Sequence, residues 1–238
     1  MKNVFTFLLL LFSLLCNGQS PKLFTTDKEL SSSLINQIYQ DRNGFIWIAT
    51  EDGLNRYDGA KFTIYKHEPN NEHSLAHNFV RTVFEDSKGH LLIGTYIGIQ
   101  MYDPATDNFT PLAKLEDTGE TLESNINSFI ERKNGEIWVS GNVLCKLDIK
   151  DHLLTVRKVD IAVTSPGSLF EDKKQNVWMA KGEEGVYQLT PDNQLTLHLS
   201  KDNGYVKSIC EDQRGNIYVG SIRKGLFIYD KERKTFVP

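Results

Sequence analysis

Residues 41–58 read DRNGFIWIATEDGLNRYD, and the stretch divides into four signals. Asp41-Arg-Asn-Gly44 is a tight-turn signal: the aspartate can accept backbone N–H groups, and the glycine supplies a left-handed backbone without a Cβ clash. Ile46-Trp-Ile-Ala49 alternates and is rich in aromatic and β-branched residues, which is the signature of a strand. A second turn follows at Glu51-Asp-Gly53, and a third strand pattern runs from Leu54 to Tyr57.

The same order recurs downstream. The turns Asp86 to Gly89, Arg132 to Gly135, Asp172 to Gln175 and Asp212 to Gly215 precede Leu92, Trp138, Trp178 and Tyr218 at the position of Trp47. The anchors at the turn glycine lie 45, 46, 40 and 40 residues apart. Ala49, Gly94, Ser140, Ala180 and Gly220 keep one position of the second strand small. Each copy is preceded by an apolar pair three residues apart: Ile35 and Ile38, Val80 and Val83, Ile126 and Phe129, Pro166 and Leu169, Val206 and Ile209. A fourth strand pattern is read at 61–65, 108–112, 155–159 and 195–199. Each copy is therefore expected to be one four-stranded antiparallel sheet. A unit of this size with apolar residues on both faces cannot bury itself alone, and radial stacking solves that problem. The expected fold class is all-β, with five propeller blades at roughly 30–72, 73–120, 121–160, 161–200 and 201–238. Arg132 and Gln175 replace the turn aspartate and glycine of copies three and four, so looser turns are expected there.

Twenty-seven basic against 31 acidic side chains leave a net charge of -4, with 39% hydrophobic residues. That is a globular composition without the basic field that drives nucleic-acid binding, so no nucleic-acid partner is expected. Residues 1–18 read as a secretory signal peptide, because Lys2 precedes an apolar run from Val4 to Leu15 that is too short to span a membrane. Cleavage after Gly18 leaves residues 19–238 as the repeat region. Acylation on Cys16 is the competing reading, and Leu15 before it argues against that. The mature chain would carry -5, and Cys145 and Cys210, both inside apolar strand patterns, are expected to be buried free thiols.

The sequence from Gly44 to Asp58 resembles the two-component regulator propeller repeat, and the resemblance runs from about Leu23 to Val237. In that family an export signal is followed by two seven-bladed propellers, an immunoglobulin-like domain, a membrane span, a histidine kinase and often a response regulator. The resemblance implies the periplasmic sensor region of a Bacteroidetes hybrid two-component system, responding to glycan breakdown products. It also implies that five blades form an incomplete part of a seven-bladed ring, that the membrane is reached only through later parts, and that a homodimer can form through the propeller.

Loops at one end of a propeller axis form a concave rim on rigid sheets. The loops after the tryptophan-bearing strands place Glu51, Asp52, Tyr96, Asn142, Glu183, Glu184, Arg223 and Lys224 there, a mixture suited to an oligosaccharide. No catalytic residue, metal or cofactor is expected. The turn aspartates recur at blade period rather than in one site, and His67, His73 and His77 read as a solvated loop. Two alternatives stand beside the sensor: a scaffold for protein interaction or dimerisation, and a propeller enzyme, which would need clustered, shifted carboxylates or a cofactor-stacking tryptophan.

Overall fold

The computed structural model describes residues 23–26, 29–199 and 204–238, so the signal-peptide reading lies outside the described residues. Five antiparallel sheets follow one another along the chain. The first contains β1 (Ile35–Gln40), β2 (Ile46–Thr50), β3 (Gly53–Tyr57) and β4 (Phe62–Tyr65) in sequence order. The second contains β5 (Val80–Glu85), β6 (Leu91–Thr95), β7 (Ile99–Asp103) and β8 (Asn108–Phe109). After β9 (Lys114–Leu115) come β10 (Ser128–Glu131), β11 (Ile137–Ser140), β12 (Leu144–Lys150) and β13 (Leu153–Lys158). The fourth sheet is β14 (Leu169–Glu171), β15 (Val177–Lys181), β16 (Gly185–Leu189) and β17 (Leu195–Leu199), and the fifth is β18 (Tyr205–Glu211), β19 (Ile217–Ile222), β20 (Gly225–Asp230) and β21 (Thr235–Val237).

Two details depart from the expected pattern. The outer strand read at 108–112 stops after Phe109, because Pro111 has no N–H to give to a ladder. The chain beyond it crosses to the third sheet, where β9 pairs in parallel with β13 and makes a fifth strand.

An apolar pair three residues apart should straddle a strand, since successive side chains alternate between faces. A register shift between Ile35 and Gln37, between Val80 and Thr82, and between Val206 and Ser208 inserts the extra residue that turns both members of each pair to one face. Between sheets, four apolar clusters form in sequence order. Trp47, Ala49 and Leu54 of the first sheet meet Val80, Val83, Leu91 and Ile93 of the second. Trp138 and Leu144 likewise meet Leu169 and Met179, and Trp178 and Ala180 meet Val206 and Val219. The small residue beside each tryptophan position is required by this approach. A Cβ on Gly94 would lie 2.5 Å from Thr82 Cγ2 and 2.6 Å from Ile126 Cγ2.

The Asp-x-x-Gly turns do more than reverse the chain. Asp41 Oδ1 accepts the backbone N–H of Asn43 and Phe45 at 2.9 and 3.0 Å, and its Oδ2 accepts the indole N–H of Trp47 at 2.8 Å. Asp172 repeats this with Lys174, Asn176 and Trp178. Turn and core anchor are thus one unit, which is why their spacing is kept. The turns of copies three and four close like the others: the Gly135 N–H reaches the Arg132 carbonyl at 2.8 Å, and that of Gln175 reaches Asp172 at 2.9 Å. Gln175 adopts the glycine's conformation at φ 66°. In copy three the indole of Trp138 turns instead to Glu136 Oε2 at 3.1 Å, and the Arg132 guanidinium lies over its ring.

Glu136 also accepts Lys146 Nζ at 2.5 Å. Partial burial raises its pKa, but the bonds from Lys146, Asn134 and Trp138 outweigh that and hold it at about 2. A carboxylate depressed in the folded state stabilises the fold above its ordinary pKa of 4.5, and this contribution is lost as pH falls from there towards 2. Lys146→Ala is therefore expected to raise the Glu136 pKa by NMR titration. It should also move acid unfolding to higher pH, with little change in melting below about pH 2, where the carboxylate is protonated in both states, relative to pH 7.

Consecutive sheets are joined by a clasp that sequence reading missed. The N–H of the residue after each turn aspartate or its arginine substitute meets the glutamate that ends the next sheet's inner strand. Arg42 meets Glu85 at 2.8 Å, Ser87 meets Glu131 at 2.7 Å, Lys133 meets Glu171 at 2.7 Å, and Lys173 meets Glu211 at 3.2 Å. Side chains reinforce it, with Arg42 Nε 2.6 Å from Glu85 and Arg132 Nε 2.9 Å from Glu171. The first sheet, which has no described sheet before it, carries Gln40 at this position.

Candidate functional site

The rim is built from the hairpins after β2, β6, β11, β15 and β19, together with the chain that leads into each inner strand. Backbone bonds tie the two sets together. Glu51 donates to the Leu34 carbonyl at 3.1 Å, Tyr96 to Phe79 at 3.0 Å, and Ser165 to Asn142 at 3.0 Å. Because both partners hang on sheet ends, the rim is held by the blades themselves.

The predicted residues are dispersed along this rim. Glu51 and Asp52 occupy the first hairpin, where Asp52 is held by Lys66 at 2.5 Å and by Asn78 at 3.1 Å. Tyr96 is exposed on the second, its ring 5.6 Å from His77 and 6.0 Å from Phe79. Asn142 lines a cavity of about 740 Å³ with Ser124, Val143 and Lys158. Arg223 and Lys224 are exposed on the fifth hairpin, with Arg223 at φ 80°.

Glu183 and Glu184 line a second cavity of about 450 Å³ with Ser165, Lys181, Gly182 and Tyr205. Lys181 Nζ lies 2.8 Å from Glu184 and 3.1 Å from Thr164 Oγ1. The Tyr205 ring packs over Gly182, where a Cβ would come within 2.9 Å of it, and half of the residue remains exposed. An aromatic face beside two carboxylates and an ammonium can stack on the apolar side of a sugar and bond its hydroxyls. Tyr205 was not anticipated. Its signal is position: it immediately precedes the inner-strand apolar residue, as Leu34 and Phe79 do, and the repeat alignment puts all three on the rim.

The three loop histidines do not converge. His67 Nδ1 lies 2.9 Å from the Leu75 carbonyl and His73 Nδ1 3.2 Å from that of Phe109, while His77 Nδ1 accepts the Phe79 N–H at 2.9 Å. Of the two cysteines, Cys145 is buried, with burial pushing its thiol up to about 11, whereas Cys210 is exposed, contrary to the expectation for both. Cys210 pairs across the strands with Tyr218 on the side of the fifth sheet that no described sheet covers.

Residues 29–52, 74–96 and 200–223 match the two component regulator propeller family. The chain carries two-component regulator propeller repeats. These are the copies whose turns keep both aspartate and glycine, and each match takes in the inner strand, the turn and the second strand. Over 83 residues the chain is 37% identical to histidine kinase P4 of Formosa agariphila, a stretch that covers 32% of this chain and 6% of that protein. The fold is similar to the extracellular domain of BT4673 from B. thetaiotaomicron, described as a hybrid two component system, with a TM-score of 0.74 and 18% identity over 92% of this chain and 33% of that one. It is also similar to virginiamycin B lyase from Staphylococcus aureus, with a TM-score of 0.65 and 13% identity over 92% of this chain and 72% of that one. At these identities the structural likenesses concern the fold. The chain spans about a third of that solved extracellular domain.

Proposed function

We propose that the chain is the ligand-sensing part of a periplasmic two-component sensor and that its ligand is an oligosaccharide released from a glycan. The observation that carries the sensor reading is the match of three repeats to the two component regulator propeller. The propeller fold alone does not separate sensor from enzyme, since a lyase shares it, and the repeat match favours the sensor. The signal-peptide pattern at residues 1–18 supports export. The rim cavity beside Tyr205, with Glu183, Glu184 and Lys181, supports a sugar ligand.

A thermal-shift screen against neutral and acidic oligosaccharides tests this. A bound sugar at about 100 times its Kd is expected to stabilise the fold by roughly 2.7 kcal/mol. Tyr205→Ala is expected to abolish that shift while leaving melting of the free protein within about 1 kcal/mol of the parent. If no oligosaccharide shifts the melting curve, direct sugar sensing by this segment is wrong.

A further inference from the structure

A cavity of about 680 Å³ opens between the second and third sheets. It lies where the repeat departs from its pattern. The outer strand β8 ends at Phe109, before Pro111, and the chain leaves for the third sheet as β9. The space that a longer outer strand would fill stays open. Ile97, Pro111 and Leu112 form its apolar wall on the side of the second sheet, and Leu153 and Leu154 form it on the β12–β13 hairpin. Volume and lining suit a small organic molecule.

The walls are held in place without a ligand. Gln100, 1% exposed, ties down the loop that contributes Ser74 and Ala76. Its Oε1 accepts the Ala76 N–H at 2.6 Å, and its Nε2 donates to the Ser74 and Thr110 carbonyls at 3.0 and 2.8 Å. The segment that carries Lys114 is fixed to both sheets: the Ala113 N–H meets the Ile99 carbonyl at 2.9 Å, and the Glu116 N–H meets that of Val156 at 2.9 Å. The hairpin tip Asp151-His152 has both residues left-handed, at φ 47° and 64°. A two-residue turn of that kind favours Asn-Gly. Histidine holds the second place against that preference, and it lines the cavity.

The polar groups left over in this lining are donors. Lys114 Nζ, the hydroxyls of Thr121 and Thr155 and the His152 ring take no side-chain hydrogen bond among the described residues. Glu72 is the one carboxylate among the described lining residues; it lies 4.0 Å from His73 Nε2 and is 75% exposed, so water screens its charge. Aliphatic walls beside an uncommitted ammonium and hydroxyl groups suit a molecule with an apolar body and an anionic end. The geometry points to a second binding site at this junction, for a small carboxylate whose apolar body lies on Leu112, Leu153 and Leu154 and whose anion is held by Lys114. It lies at a different junction from the cavity beside Tyr205 and uses none of the residues proposed there.

Titration of the purified protein with octanoate and with phenylpropanoate, followed by amide NMR spectra, tests the inference. At least one of the two acids is expected to shift the amides of Ile97, Lys114, Thr121 and Leu153 saturably. Octylamine has a comparable apolar body with the opposite charge and should leave them in place. Lys114→Met is expected to weaken binding of the acid at least about fivefold. Leu153→Asp sets a carboxylate on the apolar wall and should abolish it. Both positions are exposed, so neither change disturbs the core. Tyr205→Ala should bind the acid as the parent does, which separates this site from the sugar reading. Neither acid shifting these amides, equal shifts with octylamine, unchanged affinity in either cavity variant, or loss of binding in Tyr205→Ala would each overturn the assignment.

Discussion

Replacement of Trp178 by alanine is expected to remove about 3–5 kcal/mol of stability. The side chain is almost fully buried, and its ring meets His198, Tyr229 and Phe236 at centroid distances of 5.3, 5.1 and 5.8 Å. Truncation leaves a cavity at the junction of the fourth and fifth sheets, and it deprives Asp172 Oδ2 of the indole N–H at 2.8 Å. The loss is a large fraction of the whole stability of many domains, about 5–15 kcal/mol. Urea unfolding should show it as a lower midpoint. Trp178→Phe should recover part of it, because the ring returns and the hydrogen bond does not. A loss below about 1 kcal/mol would mean that the sheets hold together without this anchor.

The second large effect is expected at the clasp. Glu171 is nearly buried, accepts the Lys133 N–H at 2.7 Å and lies 2.9 Å from Arg132 Nε. Arg132 is itself largely buried. Glu171→Ala leaves the Lys133 N–H unpaired and the guanidinium with only the more distant Glu136 carboxylate, 3.6 Å away, and the Gln175 carbonyl, and breaking such a pair costs about 3 kcal/mol. The control is built into the repeat: Gln40→Glu at the equivalent position of the first sheet meets no preceding sheet among the described residues and should change stability by less than about 0.5 kcal/mol. Urea midpoints of the two variants measured side by side test the assignment. Equal effects at both positions would show that the glutamates act within their own sheets and not between them.

Much of this fold was legible because its determinants are local. In copies one and four the aspartate that caps the turn and the tryptophan six residues later are joined by one hydrogen bond, and that local link keeps a spacing that can be read. The inner-strand pair was legible as a repeat, but its geometry was not, since residues three apart share a face only through the bulge that shifts the register after Ile35, Val80 and Val206. The glutamates of the clasp stood at one offset in four copies without a reason to notice them, because the N–H groups they receive belong to the preceding blade. Copy three shows the converse. Arg132 breaks the turn motif, and the structure keeps the turn by moving the indole's partner to Glu136.

The rim divides in the same way. Sequence alone placed Glu51, Asp52, Tyr96, Asn142, Arg223 and Lys224 on equivalent hairpins, and equivalent places around an axis are by construction far from one another. Which of them border a cavity depends on the chain leading into the neighbouring inner strand, and there the tertiary structure put Tyr205 beside Glu183 and Glu184.

By itself, then, the amino-acid sequence determined the blade: its strands, its turns, its aromatic anchor and the need for a neighbour. Only the tertiary structure decided which of these residues another described sheet covers. Ile38 and Val83 occupy the same place in the repeat, as do Leu226 and Leu54, and the members of each pair differ only in what lies against them. Burial is a property of the sheet opposite rather than of the residue, so like sequences end with one side chain in a core and another facing water.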